Sequence, residues 1–438
     1  MKNTIKSLTR SFRLLVVLTV VAAFGSVARA DAVTDWNAIA VQTVVAAGPT
    51  RPGPAGAIDL AVVNAAIYDA VQAIEKDYQS YYVEVPGASG NPAAAAAKAA
   101  HDVLVIRFPL QAASLDTQYA NYLIANGIPT TDPGIAVGTA AAAGILALRS
   151  CDGSLTGPPP SFTGGTAIGQ WRPTPPANSA MNPGPWFGQI TPFFMTRPFQ
   201  FRSDPPPALT SKHYARDYNE VKSLGSATGS SRTPEQTDQA NFYAGNFVAM
   251  MNKVARDLAI EHLDSISDSS RLLALVSMSQ ADAGINTWND KAYYVFWRPI
   301  TAIQNGDLDG NGRTEGDATW TPMIATPPYP DYGSGANALT SATMQSLENF
   351  FGTDKMSFSI TTTNTGPTML DTRNFESFSD AAQEVVDARV LLGIHFRFAD
   401  EAARTQGRKV ANYGHKNYLK PLPGGDEDLA EVAMRVGR

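Results

Sequence analysis

Leu60, Val63, Ile67, Val71 and Ile74 are spaced 3, 4, 4 and 3 along the chain. That spacing lines one face of a helix. Similar spacing recurs almost throughout, whereas period-2 β-branched runs are scarce. Residues 82–85 and 358–363 are the only modest strand candidates. Asn91 before Pro92 and an alanine-rich run reads as a cap with proline at the first helical position. Residues 136–148 form another alanine-rich helix, with small side chains suited to close packing. Helices resume after Ser211 and are expected over 235–265, 268–304, 338–351, 379–392 and 400–417. The expected fold class is all-α: two helical-bundle-like halves with long ordered loops and little strand. No repeat of solenoid length is visible.

Residues 157–207 interrupt this pattern. They are dense in Pro and Gly, yet carry Trp171, Trp186, Phe187, Phe193 and Phe194. Disordered linkers are poor in aromatics, so this stretch reads as an ordered, packed excursion. The expected organisation is one domain over 31–438. Its N-terminal half runs to about 156, the excursion to about 210, and a catalytic-type bundle from 211 onward. Cys151 is the only cysteine, which excludes an internal disulfide and a thiolate zinc site. Stability must come from a core, and a chain of this length can build one.

Residues 1–30 read as a signal peptide. Lys2, Lys6, Arg10 and Arg13 precede an apolar run over 14–27 and a small-x-small site at Ala28-Arg29-Ala30. The run is shorter than the about 20 residues of a membrane span. Export to the periplasm or medium is expected, with no membrane association after cleavage. Removing residues 1–30 leaves 29 basic and 40 acidic residues, a net charge of −11. That balance argues against nucleic acid or an anionic membrane as partner. A small anion needs only a local cationic pocket. Oligomeric state is not legible.

Three separated motifs carry chemistry. In Lys291-Ala-Tyr-Tyr-Val-Phe-Trp-Arg298-Pro299 the two cations are seven residues apart, about 20° around a continuous helix. The aromatic neighbours argue for packing, and two cations beside a packed face need an anion. The alternative is two solvated charges. In Tyr329-Pro-Asp-Tyr-Gly333-Ser334-Gly335-Ala336-Asn337, a hydroxyl and glycine N–H groups precede a helix, as in an oxyanion cradle. By itself this is an ordinary glycine turn with a serine cap. In Ala388-Arg389-Val-Leu-Leu-Gly393-Ile-His395, Arg389 and His395 would stand about 120° apart on a regular helix. Gly393 offers a break that would aim both at one site.

Together the motifs resemble K-x6-R-P, P-S-G-H and S-R-x5-H-x3-D, the signature of the vanadium-dependent haloperoxidases within the type-2 phosphatidic-acid phosphatase superfamily. Asp35-Trp-Asn37, Trp320-Thr-Pro and Gly393-Ile-His-Phe-Arg-Phe are similar to the exported bacterial branch. The resemblance implies that Lys291, Arg298 and Arg389 neutralise the oxygens of vanadate, or of phosphate as a competing oxyanion. Ser334 and the Gly335 N–H would hydrogen-bond them. His395 would be the vanadium ligand, or the nucleophile of a phosphatase. Hydrogen peroxide and halide are then the implied small-molecule partners.

Four positions depart from the pattern. Ala336 replaces the acid/base histidine, Gly333 the proline, Ala388 the serine before Arg389, and Ala399 the aspartate four after His395. Asp400 is one residue further on, about 140° from His395 on a regular helix. The expectation is therefore a haloperoxidase-like enzyme with weakened activity. The alternatives are a secreted acid phosphatase and a non-catalytic oxyanion-binding relic. In the segment 307–318 the positions of Asp307, Asp309 and Asn311 suit a calcium loop, but Ala318 stands where a bidentate Glu belongs. An acidic glycine-rich turn is the preferred reading there.

Overall fold

The computed structural model describes residues 30–48, 51, 54–154 and 161–423; all but the last residue of the expected signal peptide falls outside them. The described helices are α1 (Ala32–Ala46), α2 (Ala55–Glu75), α3 (Pro92–Arg107), α4 (Ala112–Ala125), α5 (Pro133–Leu148), α6 (Lys212–Leu224), α7 (Pro234–Phe242), α8 (Phe247–His262), α9 (Ile266–Tyr294), α10 (Pro299–Gln304), α11 (Gly335–Phe351), α12 (Phe378–Leu391) and α13 (Arg397–Asn417). Many of their starts follow the local chemistry. Asn91 caps α3 by accepting from Ala93 N–H, with Pro92 at the first position. Asp132 caps α5 in the same way, and Ser211, Thr233, Asn246 and Ser265 cap α6 to α9.

The N-terminal half packs α2 against α3, α5 and α9. Small residues let α3 and α5 approach closely: a side chain at Gly138 would run into the Ala95 carbonyl. Helix α2 is apolar and long enough to cross a membrane on length and composition, but 89% of its apolar window is buried inside the protein. It is a core helix. The largest apolar cluster runs from Trp36, Leu60 and Ile67 through Leu272 and Trp288 to Leu347 and Phe378, so both halves share one core.

The excursion is ordered by α9. Asp282, Asn286 and Asp290 are four apart and therefore share a helix face. Asp282 accepts from the N–H groups of Phe193, Phe194 and Met195, Asn286 from Phe201 and Asp290 from Ser203. Trp288 and Asn289 add bonds to the carbonyls of Pro183 and Gly188. Trp171, Phe187, Phe193 and Phe194 are buried, and Trp186 is half-buried.

Two expectations need correction. Residues 82–85 form no strand, because the Asp69 carboxylate takes the N–H groups of Tyr81, Tyr82 and Val83 that a ladder would use. The other strand candidate, 358–363, overlaps β1 (Lys355–Thr361), which pairs antiparallel with β2 (Thr372–Ser377), a strand too polar to stand out by pattern. The stretch 268–304 is two helices rather than one. α9 ends at Tyr294, Val295 turns left-handed at φ 47°, and Pro299 opens α10. Proline disfavours a helical conformation in the residue before it and cannot donate to the preceding turn.

Candidate functional site

The break after α9 moves Arg298 off the helix that carries Lys291. Lys291 sits in the last turn of α9, fully buried, and donates to the carbonyls of Pro330 (2.7 Å) and Asp331 (3.1 Å). Arg298 is the residue before α10. Its Nε donates to the Tyr329 carbonyl (2.7 Å) and its Nη1 to the Ile394 carbonyl (2.6 Å). The seven-residue spacing thus places both cations at one site, but through a turn and not along a helix face. The Tyr329 ring lies 4.9 Å from both Lys291 Nζ and the Arg298 guanidinium carbon.

Ser334 stands directly before α11 without capping it, and Gly335 is the first helical residue. The Ser334 hydroxyl instead accepts from Asn337 Nδ2 (3.3 Å), which also donates to Asp400 Oδ1 at 2.8 Å. Gly335 lies against Trp288, whose ring a β-carbon would crowd.

Arg389 is in the last turn of α12, and Gly393 then adopts φ +78°. A β-carbon there would collide with the Gly225 carbonyl as well as being strained, so glycine is required. The start of α13 is locked on the far side of this bend. Asp217 accepts from Phe398 N–H (2.9 Å), while Arg397 forks onto Glu220 and Asp387. Between these fixed ends the bend turns His395 into the cavity that Arg389 lines.

That cavity holds about 540 Å³ and is lined by Phe247, Trp288, Tyr329, Ala336, Arg389 and His395, with Arg51 at one side. Arg298 Nη1 is 3.1 Å from His395 Nε2. Of the six residues expected at the site, Gly335, Arg389 and His395 line the cavity, Arg298 lies against His395, Ser334 directly precedes Gly335, and Lys291 holds the Pro330 and Asp331 carbonyls without lining it. Two carboxylates join them. Asp331 Oδ1 lies 2.8 Å from His395 Nδ1 and 3.5 Å from Arg298 Nη1, and Asp400 faces Ser334. Asp331 lies within the second motif, but nothing in the sequence around it signals a part in the site. No local period marks it, because its partners come from two other segments.

Electrostatics follow from burial. Desolvation, then the charges of Arg298, Lys291 and Arg389, push the His395 imidazole well below its ordinary value, so it is neutral. Burial and then Arg298 pull the Lys291 ammonium down. Burial raises the Asp331 carboxyl, while Arg298 and Lys291 pull it back, and burial raises Asp400 strongly.

Arg298 Nη2 and Arg389 Nε are buried donors with no acceptor among the described residues. Buried guanidinium N–H groups rarely go unpaired. A tetrahedral oxyanion supplies acceptors in the right place and completes the charge balance, so the residues fit vanadate or phosphate. Asp331 Oδ2 and Asn337 Oδ1 also lack partners. A partly protonated oxyanion brings O–H donors for such acceptors.

The 307–318 turn satisfies itself. Asp309 accepts from Asn311 N–H and the Thr314 hydroxyl, both at 2.7 Å, and Asp307 from Gly316 N–H at 2.9 Å. Among the described residues no group of three or more His, Cys, Asp or Glu is arranged to hold a metal ion.

Fold and site together describe a helical protein with a cavity bordered by buried cationic side chains. Residues 271–423 match the family model of the VCPO second helical-bundle domain, which spans α9 to α13 and every pocket residue named from Lys291 onward. Over those residues the chain is similar to the vanadium haloperoxidases. The vanadium chloroperoxidase of Curvularia inaequalis is 26% identical over 201 residues, which cover 38% of this chain and 32% of that protein. The match thus spans about a third of that relative's length. A bacterial vanadium-dependent iodoperoxidase crystal structure superposes with a TM-score of 0.75 at 24% identity, over 91% of this chain and 99% of the other. A bacterial vanadium-dependent chloroperoxidase in its holo form gives 0.66 at 19%, over 84% and 93%. The two structures establish the all-α fold.

Proposed function

We propose that the protein is a vanadate-dependent haloperoxidase, oxidising halide with hydrogen peroxide, with turnover weakened by Ala336. The observation that carries this is the pair of unmatched buried donors, Arg298 Nη2 and Arg389 Nε, beside His395. Vanadate, when bound, supplies a Lewis-acidic centre that makes peroxide electrophilic toward halide. The chain's own residues do the rest. Arg298 and Arg389 hold the oxyanion by charge-assisted hydrogen bonds. Lys291 adds positive charge while fixing the 330–331 carbonyls, and Ser334 and the Gly335 N–H complete the donor set. His395, kept neutral by burial and then by its cationic neighbours, would offer a ring nitrogen to the metal. The rings of Trp288, Tyr329 and Phe247 limit water at the cavity. Ala336 has no proton to give or take, so acid–base assistance is the missing function. In this reading residues 1–30 direct export.

The test is vanadate titration of the purified protein with phosphate as competitor, then halide-plus-peroxide and phosphate-ester assays. Vanadate binding, phosphate competition and slow halide oxidation are expected. Ala336→His should raise turnover, since acid–base groups contribute about 10²–10⁴-fold. Absence of binding by either anion would sink the reading, and phosphate-ester turnover without halide oxidation would replace it with a phosphatase. Brisk wild-type turnover, unchanged or lowered by Ala336→His, would show that another group supplies the proton.

A further inference from the structure

We propose that the cavity beside His395 binds an aromatic carboxylate through Arg51, and that such a molecule is the acceptor of the oxidised halogen. The acceptor role rests on the haloperoxidase reading; the binding site does not. The cavity holds about 540 Å³, within the range of about 300–1,000 Å³ that takes whole organic molecules. An oxyanion, a peroxide and a halide ion need neither that space nor an apolar wall. Yet Pro54, Phe247, Val248, Trp288, Tyr329 and Leu339 all line it. The Trp288 and Tyr329 rings lie 4.9 Å apart between centroids. The Trp288 indole N–H already donates to the Pro183 carbonyl, so this side chain has no hydrogen bond left for a ligand.

Charge at the cavity has one sign. Among the described lining residues Arg51 and Arg389 are ionic, and no Asp or Glu is present. Arg51 stands apart from the cluster around His395, because its partners belong to the N-terminal half. Its Nε is 3.2 Å from Asp59 Oδ2 on α2, its Nη2 donates to the Arg107 carbonyl at the end of α3 (3.3 Å), and its guanidinium carbon lies 5.4 Å from the centre of the Phe108 ring. Asp59 is fully buried, and its other oxygen is taken by Arg107. Among the described residues, two guanidinium groups thus share one carboxylate, which leaves positive charge in excess at the cavity edge. A cation held in advance costs a ligand little ordering, and a guanidinium pairs with a carboxylate by charge-assisted hydrogen bonds. An aromatic ring against the apolar wall with its carboxylate on Arg51 meets both features. A phenol ring is electron-rich enough to take the halogen. The halogen–oxygen bond of a hypohalous acid breaks, a carbon–halogen bond forms, and the displaced ring proton leaves with the hydroxide as water. The ring carbon is oxidised by the electron pair that the halogen gains. Halide and peroxide supply that acid in the proposed activity.

The experiment is calorimetric titration of the whole chain with 4-hydroxybenzoate, and with 4-hydroxybenzamide as its neutral match. The wild type should bind the carboxylate about tenfold to a hundredfold more tightly, as expected for a hydrogen bond to a charged group. Arg51→Gln should abolish the preference while keeping the affinity for the amide, since a collapsed cavity would lose both ligands. Arg51→Lys should retain part of the preference. Protein saturated with vanadate should bind the carboxylate as well as free protein does. With both phenols present during turnover, the carboxylate should be halogenated in a higher ratio than free hypohalous acid gives. Equal affinities in the wild type, or a preference that survives in Arg51→Gln, would overturn the site. So would competition between the carboxylate and vanadate, which would put the carboxylate on Arg298 and Arg389. A halogenation ratio equal to that of free hypohalous acid overturns the acceptor role. If Arg51→Gln does not fold, the two ligands on the wild type and their competition with vanadate decide. A protein that binds no vanadate but keeps the Arg51-dependent preference would remove the proposed function and leave the binding site.

Discussion

Two buried polar clusters sit on α9, and they are built to different rules. Near its N-terminal half, an amide ladder joins the two halves of the molecule. Asn37 Nδ2 donates to Asn252 (3.2 Å), Asn64 Nδ2 to Ser277 (2.9 Å), Asn252 Nδ2 to Gln280 (3.1 Å) and Gln280 Nε2 to Thr343 (2.8 Å). None of these side chains is left with an unpaired buried atom. At the other end, around Lys291, three cations, two carboxylates and an imidazole are equally buried, and several of their polar atoms lack partners. A satisfied network specifies a fold. An unsatisfied one marks a place where something else completes the bonding. Buried polarity alone does not point to function; unmatched charged groups gathered around one cavity give a stronger signal.

The sharpest way to break this comparison is Asn252→Ala. It strands Asn37 and Gln280 as well as removing a side chain, and each orphaned group costs roughly 1–3 kcal/mol. A loss of about 3–5 kcal/mol in denaturant unfolding is expected, with vanadate affinity retained. A loss of affinity of the size expected for a pocket variant would show that the two clusters are coupled. The pocket should respond in the opposite sense to its ligand. Vanadate at a hundredfold over its dissociation constant should stabilise the fold by about 2.7 kcal/mol, and by the same increment in Asn252→Ala. An absent increment in the wild type would mean that the pocket is already complete. The smallest effect is expected for Arg389→Gln. Its guanidinium has one protein acceptor, the Tyr243 carbonyl, and an unmatched Nε. Unfolding free energy should change by less than about 1 kcal/mol, because an under-paired buried charge adds little to stability. Vanadate affinity should fall about tenfold to a hundredfold, the worth of about 1.5–3 kcal/mol for a charged hydrogen bond. A variant that unfolds readily but binds vanadate normally would reverse the roles assigned to the two clusters.

What the sequence determined by itself was whatever depends on neighbours along the chain. The 3-and-4 spacing of Leu60 to Ile74 gave α2, Asn91-Pro92 the start of α3, and the glycine at 393 the bend before His395, because periodicity, capping and φ > 0 are local properties. The motifs supplied Lys291, Arg298, Ser334, Gly335, Arg389 and His395 as one set, since the resemblance links residues that spacing alone cannot. Tertiary structure decided the rest. It broke the helix between Lys291 and Arg298, whose angular relation had assumed continuity. It spent the N–H groups of residues 81–83 on Asp69, which cancelled a strand that pattern favoured. It brought Asp331 within 2.8 Å of His395 across 64 positions of sequence, while Asp400, much nearer along the chain, bonds to Asn337. Which carboxylate meets which imidazole depends on how separate loops are pinned to a common core, and the free energy that pins them comes from burial of surfaces that no single segment contains.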